Sequence, residues 1–305
     1  MSIIESALEK LRRAGAPPAV QGALARPASS GSALAPAAAA AAIVPRPVAA
    51  PPSKTIAIDL ATLRAAGYLP EETLDHRFVE HYRRIKRPLI EQALAGGADA
   101  HLILVTSALP GDGKTFTSIN LALSMARERD VSVLLIDADI ARARITEVLG
   151  LREERGLMGA LTDETVDVDS LIVGTGIPNL EILPAGRPVE DATERLASAR
   201  MSQVLARLAA RNSRRLVVID SAPLLAASEG RVLLPFPGQV VLVLRAGVTP
   251  QRAVLDAVAL VDKNKLRGLV LNQAPLGSGD GKYGYSGYSS YSGYGGRDAD
   301  PARVD

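Results

Sequence analysis

The chain contains no cysteine and no tryptophan. Without cysteine there can be no disulfide, no thiolate metal site and no cysteine nucleophile. Aromatic residues make up only 3% of the 305 residues, so the core must be built from Leu, Val, Ile and Ala. Neither sign of charge dominates. The formal net charge is +2, and no nucleic acid or other polyanionic partner is implied. No stretch reaches the run of about 18 apolar residues that a membrane-spanning helix needs. The most apolar segment, residues 37–44, is short and lies between Pro36 and Pro45. Near the start, Glu5 and Glu9 precede Arg12 and Arg13, the reverse of a secretory signal. The expectation is a cytoplasmic protein.

Composition divides the chain into four parts. Residues 1–13 read as a short amphipathic helix. Ser2 and Glu5 fit a capping box, Ile4, Leu8 and Leu11 share one face, and Lys10, Arg12 and Arg13 suit the helix C-terminus. A helix this short is marginal in water and gains order by docking; a frayed terminus is the alternative. Residues 14–54 are rich in Ala, Pro and Ser and read as an extended, disordered linker. Residues 55–276 carry the folded pattern. Residues 277–305 are rich in Gly, Ser and Tyr and then charged, with no core pattern, and are expected to be disordered.

Within the folded part, residues 74–95 form a helical pattern with a basic face, which Pro88 is expected to kink or divide. Apolar strands are predicted at 101–106, 131–136, 180–183, 216–219, 240–244 and 269–271. Helices are predicted at 114–127, 193–210 and 250–263. Runs of Val, Ile and Leu without polar alternation belong to strands buried on both faces. Their alternation with helices predicts an α/β fold, a mostly parallel sheet covered on both sides.

The chemistry concentrates after the strands. Ala108-Leu109-Pro110-Gly111-Asp112-Gly113-Lys114-Thr115 follows a predicted strand and opens a predicted helix, the context of a phosphate-binding P-loop. Gly111 and Gly113 let backbone amides converge on phosphate oxygens, and the helix N-terminus adds its dipole. Lys114 is placed to reach the β- and γ-phosphates, and the Thr115 hydroxyl to ligate Mg²⁺. Ala108 stands where the motif has glycine, which narrows the backbone conformations open to it. Asp137 and Asp139 end one strand, two residues apart, so that in extended chain their carboxylates share a side. They are candidates to hold Mg²⁺ or accept a proton. Asp220 ends another apolar strand in a Walker B pattern and is a candidate to hold the metal or its water. An aspartate after a strand also serves as a turn or helix cap.

These motifs, with Asp220-Ser221-Ala222-Pro223, resemble the bacterial tyrosine kinases, P-loop enzymes without the eukaryotic kinase signatures. The resemblance covers residues 55–272 and extends to the tyrosine-rich tail. It is strongest to the stand-alone tyrosine autokinases of exopolysaccharide and exosortase systems, which share the opening helix and the segment Tyr82-Arg83-Arg84-Ile85-Lys86-Arg87-Pro88. The family resemblance implies ATP and Mg²⁺ as ligands. Pro110, Gly111, Asp112, Gly113, Lys114, Thr115 and Phe116 would line the nucleotide. Thr115, Asp137 and Asp220 would hold the metal. Lys114, Asp137, Asp139 and Asp220 would serve catalysis. Asn272 is a candidate adenine contact by family position, or a loop cap. Ala141 stands where members often have Arg, with Arg142 next to it. The oligomerisation motif Glu-x-x-Arg-x-x-Arg is matched by Glu80, Arg83 and Lys86, with Lys in the last place, and a solvated basic helix face is the alternative.

Five of the seven tyrosines, Tyr283, Tyr285, Tyr288, Tyr291 and Tyr294, lie in the tail. They are the expected phosphate acceptors; the family implies transfer between protomers, a tail threading its own site is the other route, and a low-complexity segment with a solubility or association role is the competing reading. Either Asp137 or Asp139 would take the tyrosine proton; the sequence does not choose. The family implies a ring-like homo-oligomer, a membrane polysaccharide co-polymerase as activator, an opposing tyrosine phosphatase, and a peripheral place at the inner membrane through that partner. Residues 2–13 are expected to contribute to the contact with it. Two other readings stand beside this one: a ParA/MinD-type ATPase switch, which usually carries a signature lysine early in the P-loop that this chain lacks, and a nucleotide-dependent scaffold without kinase activity.

Overall fold

The computed structural model describes residues 54–70, 75–211 and 214–274. The predicted N-terminal helix, the linker up to residue 53, and the tail with its five tyrosines lie outside the described residues.

Eight strands form one sheet: β1 (Lys54–Ile56), β2 (Leu102–Ser107), β3 (Ser132–Asp137), β4 (Val173–Thr175), β5 (Leu180–Leu183), β6 (Arg215–Asp220), β7 (Gln239–Arg245) and β8 (Leu266–Asn272). Their order is β1-β4-β5-β3-β6-β2-β7-β8. Every pair is parallel except β4 with β5. The central strands β2 and β6 are buried along their whole length, as their unbroken apolar runs require. Side chains alternate between the faces. Leu104, Leu134, Ile136, Val217, Ile219 and Leu242 pack into one apolar cluster, and Ile103, Val105, Val133, Leu135, Val218 and Val241 into the other. The sheet therefore has a core on each side, the expected α/β arrangement.

Nine helices are described: α1 (Leu60–Ala65), α2 (Asp75–Ala95), α3 (Lys114–Ala126), α4 (Arg144–Val148), α5 (Gly156–Thr162), α6 (Ala192–Leu196), α7 (Ala199–Ala210), α8 (Ser228–Val232) and α9 (Gln251–Leu260). The single helix expected over 193–210 is two helices, because Ser198 adopts extended backbone and its hydroxyl caps the Met201 amide. Strand β4 and the short helices α4 and α5 have no counterpart among the predicted elements.

Helix α2 is not divided. It runs unbroken through Pro88. Proline at that position leaves the Arg84 carbonyl without its intrahelical donor. Both residues are exposed, so water can satisfy that carbonyl. Leu89 and Ala93 on the opposite face are buried and hold the helix to the sheet. Replacing Pro88 with Ala is expected to raise the unfolding free energy by about 1–3 kcal/mol. Chemical denaturation of both proteins checks this.

Candidate active site

Strand register assembles the site. On β6, Asp220 is the Cα partner of Val105 on β2 and of Asp137 on β3. Both acidic strand ends therefore meet at the carboxyl edge of the sheet, beside the loop that leaves β2. The backbone knits this edge together: Ala138 N donates to Asp220 O at 2.8 Å, and Leu224 N to Ser107 O at 2.8 Å.

The loop is held open by glycine. Gly111 has φ +86 and Gly113 φ +97, left-handed backbone that favours glycine. A Cβ on Gly113 would also lie 1.9 Å from Asn272 Nδ2. Ala108 is fully buried and is not among the residues with positive φ. Its lost glycine freedom is therefore not called upon. Asp112 braces the loop from inside: its carboxylate accepts from Leu109 N at 2.9 Å and from Thr249 Oγ1 at 2.7 Å. Asn272 donates its amide to the Asp112 carbonyl at 3.0 Å, so it contacts the loop backbone. Pro110 and Gly111 are exposed at the tip. The Phe116 ring packs edge-on against Phe78 with centroids 5.6 Å apart.

Beneath the loop lies a buried polar cluster. Lys114 Nζ donates to Asp139 Oδ2 at 2.5 Å. Asp220 accepts from Thr115 Oγ1 at 2.8 Å and from Ser118 Oγ at 2.9 Å. Asp137 Oδ2 accepts from both the amide and the hydroxyl of Thr146, each at 2.8 Å. The Thr146 hydroxyl in turn accepts from Ala185 N at 2.9 Å. Asp137 and Asp139 thus have different partners, although they are two residues apart. Ser118 and Thr146 escaped the sequence reading. Ser118 has a legible signal, since it lies one helical turn after Lys114. Thr146 has none, because only the fold turns it back onto β3.

Burial sets the charges. It pushes the Asp137 carboxyl up to about 7; the nearby Asp220 adds to this and the Thr146 hydrogen bonds oppose it. Burial also raises Asp220, against Lys114, Thr115 and Ser118. For Lys114, burial acts against the charge, but Asp220 and Asp139 outweigh it and hold the ammonium above the usual lysine range. The Oδ1 atom of Asp137 is buried with no hydrogen-bond partner, an orphaned acceptor of the kind a cation or its water would satisfy. No group of three or more His, Cys, Asp or Glu side chains among the described residues could hold a metal by itself. A cation here would rely on one or two carboxylates, the Thr115 hydroxyl, phosphate oxygens and water, the usual donor set of Mg²⁺.

Arg142, beside Ala141, is exposed, and one expectation for the oligomerisation motif changes. Lys86 does not share a solvated face with Glu80 and Arg83. It is buried, donates to Ser124 O at 2.7 Å and pairs with Glu128 at 2.7 Å. Arg83 is exposed and Glu80 half-buried, and the two pair with each other at 2.7 Å. Within the motif, Arg83 remains the outward cation, with Arg84 and Arg87 beside it.

Fold and site define a P-loop nucleotide-binding domain, and a family model described as an AAA domain matches residues 100–243. The chain is 30% identical over 179 residues to the tyrosine-protein kinase wzc of Salmonella typhimurium, covering 57% of this chain and 24% of that one. It is 29% identical to the tyrosine-protein kinase YwqD of Bacillus subtilis, covering 60% of this chain and 76% of that one. The VpsO kinase domain superposes with a TM-score of 0.56 at 29% identity, over 70% of this chain and 97% of that chain. The kinase domain of the Escherichia coli tyrosine kinase ETK superposes with a TM-score of 0.54 at 27% identity, over 63% and 74%. Relatives of this chain are named tyrosine-protein kinases, and two of the solved structures it resembles are kinase domains. It spans about a quarter of the length of the Salmonella relatives.

The raised Asp137 carboxyl makes the free protein sensitive to pH. Folded Asp137 keeps its proton up to about pH 7, whereas the unfolded group loses it near 3.8. Its contribution to stability is full below about 3.8 and is lost as pH rises to about 7. Asp137→Asn removes that loss. Without nucleotide or metal, the variant is expected to be more stable than the parent at pH 8 by roughly 2–4 kcal/mol, with little difference at pH 4. Thermal denaturation across this range measures it.

Proposed function

We propose that the chain is an ATP-dependent protein-tyrosine kinase that phosphorylates its own C-terminal tyrosines between protomers and controls exopolysaccharide synthesis or export. The observation that carries this is the buried Lys114–Asp139 pair beneath a glycine loop, in a chain whose relatives are named tyrosine kinases. One relative is the succinoglycan biosynthesis transport protein ExoP of Rhizobium meliloti, 31% identical over 205 residues.

In this reading ATP is the substrate that donates the phosphoryl group. The loop amides and Lys114 bind its phosphates, and Lys114 leaves Asp139 to do so. Mg²⁺, held by Thr115, Asp220 and Asp137, would neutralise charge on the β- and γ-phosphate oxygens. The tyrosine oxygen attacks the γ-phosphorus in line, the bond to the bridging oxygen breaks, and ADP leaves. Asp139, released from Lys114, takes the tyrosine proton. Asp137 is tied by two Thr146 hydrogen bonds and serves better as a fixed ligand. Positioning and charge neutralisation supply most of the catalysis of such a loose transition state.

Tyr283, Tyr285, Tyr288, Tyr291 and Tyr294 sit among Gly and Ser, so each could enter an active site in turn. Each phosphate adds about −1.5 to −2 charges, enough in a cluster to oppose close packing of protomers. Assembly as a ring would draw on Glu80 and Arg83. A membrane polysaccharide co-polymerase would activate the kinase and hold it at the membrane, with a tyrosine phosphatase opposing it. No helix among the described residues is long and apolar enough to cross a membrane.

Incubating the full chain with Mg-ATP and mapping phosphate by mass spectrometry tests the reading. Phosphate is expected on several of the five tail tyrosines, with a loss of at least about 100-fold in Lys114→Ala. Mixing Lys114→Ala, as acceptor, with a chain ending at residue 276, as donor, is expected to restore tail phosphorylation. Absence of phosphotyrosine in the parent would refute the kinase. Absence in the mixture alone would refute transfer between protomers.

A further inference from the structure

A groove of about 870 Å³ lies on the helical face formed by α1, α2 and α3, away from the β2 loop. Its walls carry the apolar side chains of Leu60, Leu69, Phe78, Val79, Leu123 and Ile177, with Asn120, Ser124 and Asn179 among the polar ones. Leu60 is 44% exposed, a large apolar side chain left to water at the groove edge. Arg127 and Arg129 stand on the rim. Both are exposed and form no ion pair among the described residues. Glu128 between them is already engaged by Lys86. The groove thus offers an apolar floor with two uncommitted cations on one edge. That pattern fits an amphipathic helix with acidic flanks.

The sequence of this chain contains a segment with that pattern. Ile4, Leu8 and Leu11 fall on one helical face, and Glu5 and Glu9 stand one turn apart beside it. The tether also fits. The chain enters the fold at β1, which pairs with β4. Gly176 N donates to Ile56 O at 2.9 Å, immediately before Ile177 and Pro178 in the groove wall. The folded chain therefore begins beside the groove. Residues 14–53 form a 40-residue connection, whose root-mean-square span as a flexible coil is roughly 35 Å. A segment that is marginal as an isolated helix is thereby supplied at high effective concentration to an apolar site next to its own attachment point.

We propose that residues 2–13 dock as a helix in this groove of the same chain, with Ile4, Leu8 and Leu11 on the floor and Glu5 and Glu9 facing Arg127 and Arg129. The segment is then occupied within the chain and is not held out to a membrane partner. The assignment does not depend on the kinase reading, since neither the groove nor the helix includes a residue of the nucleotide site.

The absence of cysteine makes the test direct. Two variants of the full chain, Leu8→Cys with Leu123→Cys and Leu11→Cys with Leu60→Cys, are oxidised at low protein concentration. A control joins Leu8→Cys to Val248→Cys, on the loop after β7. At least one groove pair is expected to form a disulfide within one chain, seen by intact mass and peptide mapping, and the control is not. Arg127→Glu with Arg129→Glu is expected to lower the yield about fivefold, the equivalent of about 1 kcal/mol for two exposed ion pairs. Adding Glu5→Arg and Glu9→Arg is expected to restore it. Disulfides only between chains would assign the groove to a second copy and overturn the proposal. Absence of any groove disulfide, or equal yield in the control, would overturn it too.

Discussion

The buried ammonium of Lys114 is the constraint on which the rest of the site depends. Three aspartates, Asp137, Asp139 and Asp220, are each almost fully buried around it. One cation cannot balance three carboxylates in a region that water does not reach. The fold answers with uncharged donors. Thr115 and Ser118 hold Asp220, Thr146 holds Asp137, and Lys114 is left to pair with Asp139. Burial pushes the Asp137 carboxyl upward, and the neighbouring negative charge of Asp220 adds to it. A site with surplus buried acid beneath a glycine loop suits a ligand that brings both polyphosphate and a divalent cation.

The sheet makes this concentration of charge possible. β2, β3 and β6 lie side by side in parallel, so their carboxyl ends fall at one edge. Cα pairing of Asp137 with Asp220 and of Val105 with Asp220 places the loop and both acids within reach of each other. Apolar clusters on both faces fix that register, because a slip by one residue would exchange the two faces of a strand. Core packing and site geometry are therefore one constraint.

Much of this was legible in the sequence because the signals are local. The glycine loop, the acid after each apolar strand and the strand–helix alternation each occupy a few consecutive residues. What escaped depends on distance along the chain or on direction. Ser118 reaches Asp220, 102 residues away, and Thr146 reaches the Ala185 amide, 39 residues away. Lys86 lies among arginines on a helix, and only the packing of α2 against α3 shows that it faces inward. Pro88 suggested a break that Leu89 and Ala93 override by burial. The short strand β4 makes an antiparallel pair at the margin of the sheet, with too few residues to set a pattern.

In the proposed mechanism Lys114 is shared: bound to Asp139 in the free protein and to phosphate in the complex. Calorimetric titration of ATP into the full chain and into Asp139→Asn tests this most directly. Removing the carboxylate frees the ammonium while leaving the loop intact. Asp139→Asn is expected to bind ATP at least as tightly as the parent, while its tyrosine phosphorylation with Mg-ATP falls by about 100-fold or more. A variant that loses ATP binding together with activity would contradict it. In that case Asp139 would be holding the loop in its binding shape and would not be exchanging its partner with the nucleotide.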